Sequence, residues 1–204
     1  MPLFRSSRTA SAALVMTAAA FSSIVVGASG ASARRAAAGP RKIVTAARIM
    51  PAAGTLPPGS TVPAAEIAGN RVFTDATHGF ALVGAVDADY AAATADGGRT
   101  WKTASPALHL HAAQAPLAVV YIGALSTKTV FAWGGGQVID VTSDGGATWY
   151  RALFASGAPQ AVVPSLAGRK SLVAFISSFG GKQVWRYVST DGGRTWHYHT
   201  TVRG

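Results

Sequence analysis

Cysteine is absent from this 204-residue chain, which excludes disulfides, zinc–thiolate centres, iron–sulfur clusters and thiol catalysis. Acidic residues are scarce too: seven Asp and a single Glu, Glu66. So few carboxylates exclude an acidic tail, a salt-bridged coiled coil and any site built from many acids. Charge as a whole is thin, 13% of residues against about a quarter in a typical soluble domain. No Gly-x-Ser-x-Gly elbow, Walker loop, dinucleotide fingerprint or His-Glu-x-x-His run is present, and no cofactor is implied.

What is present begins with an ordered N-terminus. Arg5 and Arg8 precede an apolar, Ala-rich stretch from about Ala10 to Val26, and Ala31-Ser32-Ala33 follows as an A-x-A cleavage site. Basic, apolar, small is the order of a secretory signal, which predicts a signal peptide over residues 1–33 and a secreted or envelope-located protein. The alternative is an uncleaved anchor, but the stretch is short for a span and diluted by Ser and Thr. Arg34-Arg35 lies after the apolar stretch, so it is no twin-arginine signal.

Without residues 1–33, sixteen basic residues face eight acids, a balance of +8 against +10 for the whole chain. Arg34, Arg35, Arg41 and Lys42 supply four of those charges at one end. The basicity is thus partly a tail effect. Basic and aromatic residues do not interleave as in single-strand binders, and no nucleic-acid partner is expected. Residues 34–70 read as a Pro/Ala-rich linker, broken by Pro40, Pro51, Pro57, Pro58 and Pro63, with one short extended piece at Lys42–Thr45.

From residue 71 the chain repeats itself. TADGGRTW at 94–101, TSDGGATW at 142–149 and STDGGRTW at 189–196 place Asp96, Asp144 and Asp191 at spacings of 48 and 47. A period in the forties signals a repeat architecture. Each motif specifies a stapled hairpin. Asp-Gly-Gly turns tightly because glycine accepts positive φ. The carboxylate can take hydrogen bonds from backbone N–H groups in its own turn. The flanking Thr or Ser supplies a hydroxyl and strand propensity. The Trp closes the unit with a large apolar ring. The positions that define the three boxes are Thr94, Asp96, Gly98, Thr100 and Trp101; Thr142, Asp144, Gly146, Thr148 and Trp149; and Ser189, Asp191, Gly193, Thr195 and Trp196.

The rest of each period also reads as strands. The first gives Arg71–Thr74, Phe80–Val86, Tyr90–Thr94 and Thr100–Thr103; the second Leu117–Ile122, Thr129–Gly134, Val138–Thr142 and Thr148–Leu153; the third Ala161–Pro164, Ser171–Ser177, Gln183–Ser189 and Thr195–Thr201. Four short strands per repeat is the plan of a propeller blade. The expected fold is all-β, with about three four-stranded antiparallel blades over residues 71–204.

The pattern S/T-x-D-x-G-x-T-W resembles the Asp-box, or BNR, repeat, and all three copies match its key positions. That family includes sialidases, sortilin-type receptor ectodomains, photosystem II assembly factors and many secreted propellers without known activity. VFTDATHGFALVG at 72–84 is similar to blades of the assembly-factor branch. The resemblance implies that each box sits on the hairpin between a blade's third and fourth strands, at the rim. There the aspartates are structural rather than catalytic. Closed propellers have about four to eight blades. Three blades therefore imply pairing into a six-blade homodimer, or a place in a larger assembly.

Two functional expectations follow. The first is a secreted, non-enzymatic module that binds a protein or glycan, or helps assemble an envelope complex. The second is a sialidase-like glycoside hydrolase. The resemblance would then require three arginines on the substrate carboxylate, a Tyr nucleophile helped by Glu, and an Asp acid/base. Glu66 lies in the Pro-rich segment, and Asp75, Asp87, Asp89 and Asp140 are the acids outside the boxes. Ala47-Arg48-Ile49-Met50-Pro51 only poorly echoes the family's F-R-I-P motif, and Arg99 and Arg194 belong to boxes. His109/His111 and His197/His199 are i, i+2 pairs that a strand would place on one face. No Cys or nearby acid completes either pair as a metal site, so both are read as surface imidazoles on outer or loop positions. Trp133 and Trp185 read as blade-core residues or as platforms for a sugar ring, and Gly134-Gly135-Gly136 as a hairpin turn.

Overall fold

Short β-branched and aromatic runs, separated by Gly-containing turns, form three antiparallel sheets. The computed structural model describes residues 39–111 and 119–202. The signal peptide read over 1–33 lies outside these residues. Three short strands come first: β1 (Ile43–Thr45), β2 (Ala47–Arg48) and β3 (Thr61–Val62). The first repeat forms β4 (Ile67–Phe73), β5 (Gly79–Gly84), β6 (Ala88–Thr94) and β7 (Trp101–Thr103), followed by β8 (His109–Leu110). The second forms β9 (Tyr121–Ala124), β10 (Val130–Trp133), β11 (Val138–Thr142) and β12 (Tyr150–Leu153). The third forms β13 (Gly157–Pro164), β14 (Leu172–Ser178), β15 (Val184–Ser189) and β16 (Thr195–Val202). Within each repeat consecutive strands pair, giving a four-stranded meander, a blade of the propeller type. The fold is all-β, and a 3-10 turn at Ala64–Glu66 is the only helical piece among the described residues.

The blades stack face to face, and the sequence shows why. The middle strands GFALVG and VIDVT are buried along almost their whole length, as strands covered on both faces must be. Phe80, Leu82 and Ala91 of the first blade meet Ile122, Val130, Ala132 and Trp149 of the second. Phe131, Ile139 and Val141 of the second meet Leu172, Ile176, Trp185, Tyr187 and Trp196 of the third. Trp149 and Trp196 therefore each face the blade before their own. Burial of these rings is a main source of cohesion, and deleting one Trp would cost about 3–5 kcal/mol.

Among the described residues no blade precedes that of Trp101, and what covers this ring departs from the sequence expectation. Residues 39–70, the described part of the expected linker, add strands to the sheets. Within the described part, the segment runs backwards around the outer edges of the sheets. β1 pairs with β16, β2 with β12 and β3 with β7, adding a fifth strand to each meander. Only Ala46 separates the strand on the third blade from the strand on the second, and its N–H donates to the Arg194 carbonyl. Val62 and Ile67 then pack with Leu56 against Ala81, Val83, Tyr90, Ala92 and Trp101, on the first blade's outer face. The Leu56 N–H donates to the Tyr90 hydroxyl at 3.0 Å, and the Thr103 hydroxyl donates to the Pro57 carbonyl at 2.7 Å. The prolines fall between the paired stretches, where a missing N–H costs no ladder bond. The strap covers edges that would otherwise present free N–H and C=O groups.

This lid bears on the expected six-blade homodimer. An open arc would expose a sheet face at each end, yet the first blade's face is covered by its own chain: Tyr90 and Trp101 are 0% and 2% exposed. Other shifts are smaller. β4 begins at Ile67 and β13 at Gly157, earlier than expected, while β9 occupies Tyr121–Ala124; the expected Leu117–Ile122 begins outside the described residues. β8, a two-residue strand on β6, has no counterpart in the expected set.

Candidate functional site

The three boxes lie on the β6–β7, β11–β12 and β15–β16 hairpins, and all three are wired alike. The Thr94, Thr142 and Ser189 hydroxyls each donate to the box carboxylate at 2.8 Å. The same hydroxyls accept the N–H of the second box glycine, Gly98, Gly146 or Gly193, at 2.8–3.0 Å. Each carboxylate also accepts the N–H of Thr100, Thr148 or Thr195. The hydrogen bond from the Thr100 hydroxyl, with those from its own turn, holds Asp96 below the ordinary carboxylate range. Burial pushes Asp144 and Asp191 up, but the donors around them outweigh it and both end below that range. These aspartates are thus committed to holding their hairpins.

The box end of the blades also carries the loops between first and second strands. Each loop is tied to its own box by one bond. The N–H of the first box glycine donates to Thr77 in the first blade, Lys128 in the second and Lys170 in the third, at 2.9 Å each. Equivalent loop positions thereby bring Lys128 and Lys170 to neighbouring places. They flank a cleft of about 700 Å³ that also holds Arg169, Leu125, Ser126 and Ser143. No acid lines this cleft, and all three cations are exposed. An adjoining cleft of about 610 Å³ adds Arg194, stacked 4.4 Å over the Tyr150 ring, with Lys170 and the box-bound Asp191. The result is a basic surface whose nearest carboxylates are already hydrogen-bonded.

The acids considered for hydrolysis do not converge. Asp75 sits in the β4–β5 turn, accepting the N–H groups of Thr77 and His78 at 2.8 Å, and the His78 bond first holds it well below the usual range. Asp87 and Asp89 lie at the other end of the same blade, about 20 Å away along β5. Asp140 is fully buried between the first and second blades, where Arg151 Nε and an Arg151 terminal nitrogen donate to its two oxygens at 2.8 and 2.7 Å. Burial pushes the Asp140 carboxyl up, and the guanidinium opposes that shift. Arg151 also donates to the Leu108 carbonyl, so the pair clamps one blade to the next. Arg48 lies on β2 at the outer edge, opposite Tyr150. Glu66 is in the 3-10 turn of the lid.

One histidine pair is completed by an acid that sequence proximity did not offer. β8 pairs with β6 so that His109 stands opposite Asp89. His109 Nδ1 lies 3.0 Å from one Asp89 oxygen and His111 Nε2 lies 2.9 Å from the other. The expectation that no nearby acid completes the His109/His111 pair is overturned by this register. The signal available in the sequence was the i, i+2 spacing alone; the acid, twenty residues upstream, is found only through strand pairing. His197 and His199 gain no acid, and His199 instead meets Arg186 at 3.0 Å. Trp185 is a core residue, whereas half-buried Trp133 stacks on Phe131 and meets Tyr121. Gly134 and Gly135 take φ of 97° and 63° in the β10–β11 hairpin, as a turn requires.

Residues 187–198, which span the third box, match the BNR/Asp-box repeat model. No curated protein matches the chain. Among solved structures, the chain is similar to one titled "YCF48 bound to D1 peptide", at 20% identity and a TM-score of 0.46. The likeness covers 74% of this chain and 46% of that one, so this chain spans just under half of its neighbour's length. No helix among the described residues is long and apolar enough to cross a membrane. The third box matches that model, and the same carboxylate wiring recurs in all three hairpins.

Proposed function

We propose that the chain is a non-catalytic, envelope-located binding module whose box-end face takes an acidic segment of a partner protein. The observation that carries this reading is the cleft bounded by Lys128, Arg169 and Lys170, which three exposed cations line and no acid neutralises. Like-signed charge on concave walls raises the local concentration of oppositely charged partners and speeds their capture. The loops that bear the lysines are fixed to the boxes by backbone hydrogen bonds, so the charges sit on a rigid support rather than on free arms. Export is supported by the basic, apolar, small order of residues 1–33.

The test uses a fluorescent oligoglutamate peptide and a neutral peptide of equal length. Binding of the acidic peptide alone, weakening steeply with salt and lost in K128E/K170E, supports the reading. Equal binding of both peptides, or unchanged binding in the variant, overturns it. Turnover of a sialoside by the same preparation would favour the hydrolase instead.

A further inference from the structure

We infer that Asp89, His109 and His111 form a binding site for one divalent transition-metal ion of the Zn²⁺ type. The site lies at the end of the first blade away from the boxes and does not rest on the proposed acidic-partner reading.

β8 is two residues long and holds His109 opposite Asp89 on β6. His111 follows at i+2, so its ring projects on the same side as that of His109, and the two ring centroids are 5.7 Å apart. The backbone fixes both ends of this arrangement. The Leu108 N–H donates to the Asp89 carbonyl at 2.8 Å and the His111 N–H to the Asp87 carbonyl at 3.0 Å. The three ligand atoms, His109 Nδ1, His111 Nε2 and an Asp89 oxygen, all lie within 4.8 Å of one another. A tetrahedral ion with donors at about 2.1 Å needs them about 3.4 Å apart. Closing the set from within 4.8 Å to that spacing is a change on the scale of side-chain χ rotations.

The tautomer points the same way. His111 Nδ1 lies 3.3 Å from the Val86 carbonyl, which can only accept, so Nδ1 carries the proton in that contact. In the neutral ring Nε2 then presents a lone pair to the Asp89 carboxylate, another acceptor. Two acceptors at 2.9 Å require a proton or a cation between them. A backbone carbonyl on the far nitrogen is the usual outer support of a metal-bound histidine. Two imidazoles and one carboxylate favour Zn²⁺, Ni²⁺ or Cu²⁺ over Mg²⁺ or Ca²⁺, which prefer all-oxygen shells. Asp89 and His109 are mostly covered while His111 is 39% exposed at its side chain, so one coordination position faces water. Bound metal would fasten β8 to β6.

The test is calorimetric titration of the untagged full chain with ZnCl₂, with MgCl₂ as control and histidine NMR on the same samples. The expected result is one Zn²⁺ per chain, no Mg²⁺ binding and a Zn²⁺-dependent rise in Tm. Zn²⁺ should also shift the His109 and His111 ring nitrogens but not those of His197. His111→Ala, exposed enough to fold normally, should weaken Zn²⁺ by at least about tenfold. Asp89→Asn should do the same, and H197A/H199A should change nothing. Absence of saturable Zn²⁺ heat, or wild-type affinity in both His111→Ala and Asp89→Asn, overturns the proposal. So does NMR placing the ion on another histidine.

Discussion

The indole N–H of Trp149 donates to the carbonyl of Ala104 on the preceding blade at 2.7 Å, whereas Trp101 and Trp196 close back on Gly98 and Gly193 of their own boxes. The second box is therefore the one whose staple reaches between repeats. Gly146 shares the contact, since a Cβ there would stand 2.4 Å from the same Ala104 oxygen at a φ of 100°. Gly146→Ala should cost about 3 kcal/mol, from strained backbone plus the clash. Gly145→Ala, with its nearest neighbour at 3.4 Å, should cost only the φ penalty of about 1–2 kcal/mol. Trp149→Phe should lose about 1–3 kcal/mol by leaving the Ala104 carbonyl unpaired. Urea unfolding of the three variants checks the order, and equal losses at Gly145 and Gly146 would contradict the inter-blade contact.

The box carboxylates make stability depend on acid. Asp75, Asp96, Asp144 and Asp191 are all held below the ordinary carboxylate value. In acid the unfolded chain binds more protons than the folded one, so their contribution is complete above the unfolded pKa of about 3.9 and fades as pH falls below it. Tm should drop steeply from about pH 4 downward. Asp96→Asn should lower Tm at neutral pH and make that drop shallower. A variant whose acid limb is as steep as wild type would show that Asp96 does not titrate as its hydrogen bonds imply.

Asp140 and Arg151 should respond as a buried pair. Removing one partner leaves an uncompensated charge between blades, so Arg151→Met should cost about 3–5 kcal/mol. Asp140→Leu/Arg151→Met should recover much of that loss, because two apolar side chains need no partner. A thermal-melt double-mutant cycle reads the coupling. A double variant no better than Arg151→Met would mean that the Arg151 bond to the Leu108 carbonyl, and not the ion pair, is what matters.

Because the lid covers the first blade's outer face, the chain should be monomeric by light scattering. Leu56→Glu should lift the lid, expose Trp101 and its neighbours, and raise both dye binding and self-association. A wild-type dimer would instead mean that the third blade's outer face, or another surface, closes an assembly.

Much of the blade architecture was legible because its signals are local. Ser/Thr-x-Asp-Gly-Gly-x-Thr-Trp contains its own donors, acceptors and turn residues, and the strands beside it carry enough β-branched and aromatic residues to mark themselves. The strap was not legible. β2 and β3 are two residues each, too short for any alternation, and their partners lie on β12 and β7, far along the chain. Its five prolines argued for irregularity, and only the pairing shows that they fall between the strands. The acid beside His109 was hidden for the same reason, since register across β6 and β8 is a tertiary fact. The basic cleft needed both the repeat spacing and the sheet stacking, because Lys128 and Lys170 are far apart until the loops of adjacent blades meet.

The pairing of Ile43 with His197 also sets a schedule. The segment carrying β1 and β2 leaves the ribosome early, while the strands it must join are made late. Each blade can form from neighbouring residues at little loop-closure cost, but the strap must wait for contacts of very long sequence separation. Until then β1 and β2 have no edge to join, and the outer edges of β12 and β16 stay unpaired. The last step of folding is therefore a wrapping motion, and it should be the slow phase in refolding. In that interval the unpaired edges of β12 and β16 are where chaperones would bind and where aggregation would begin.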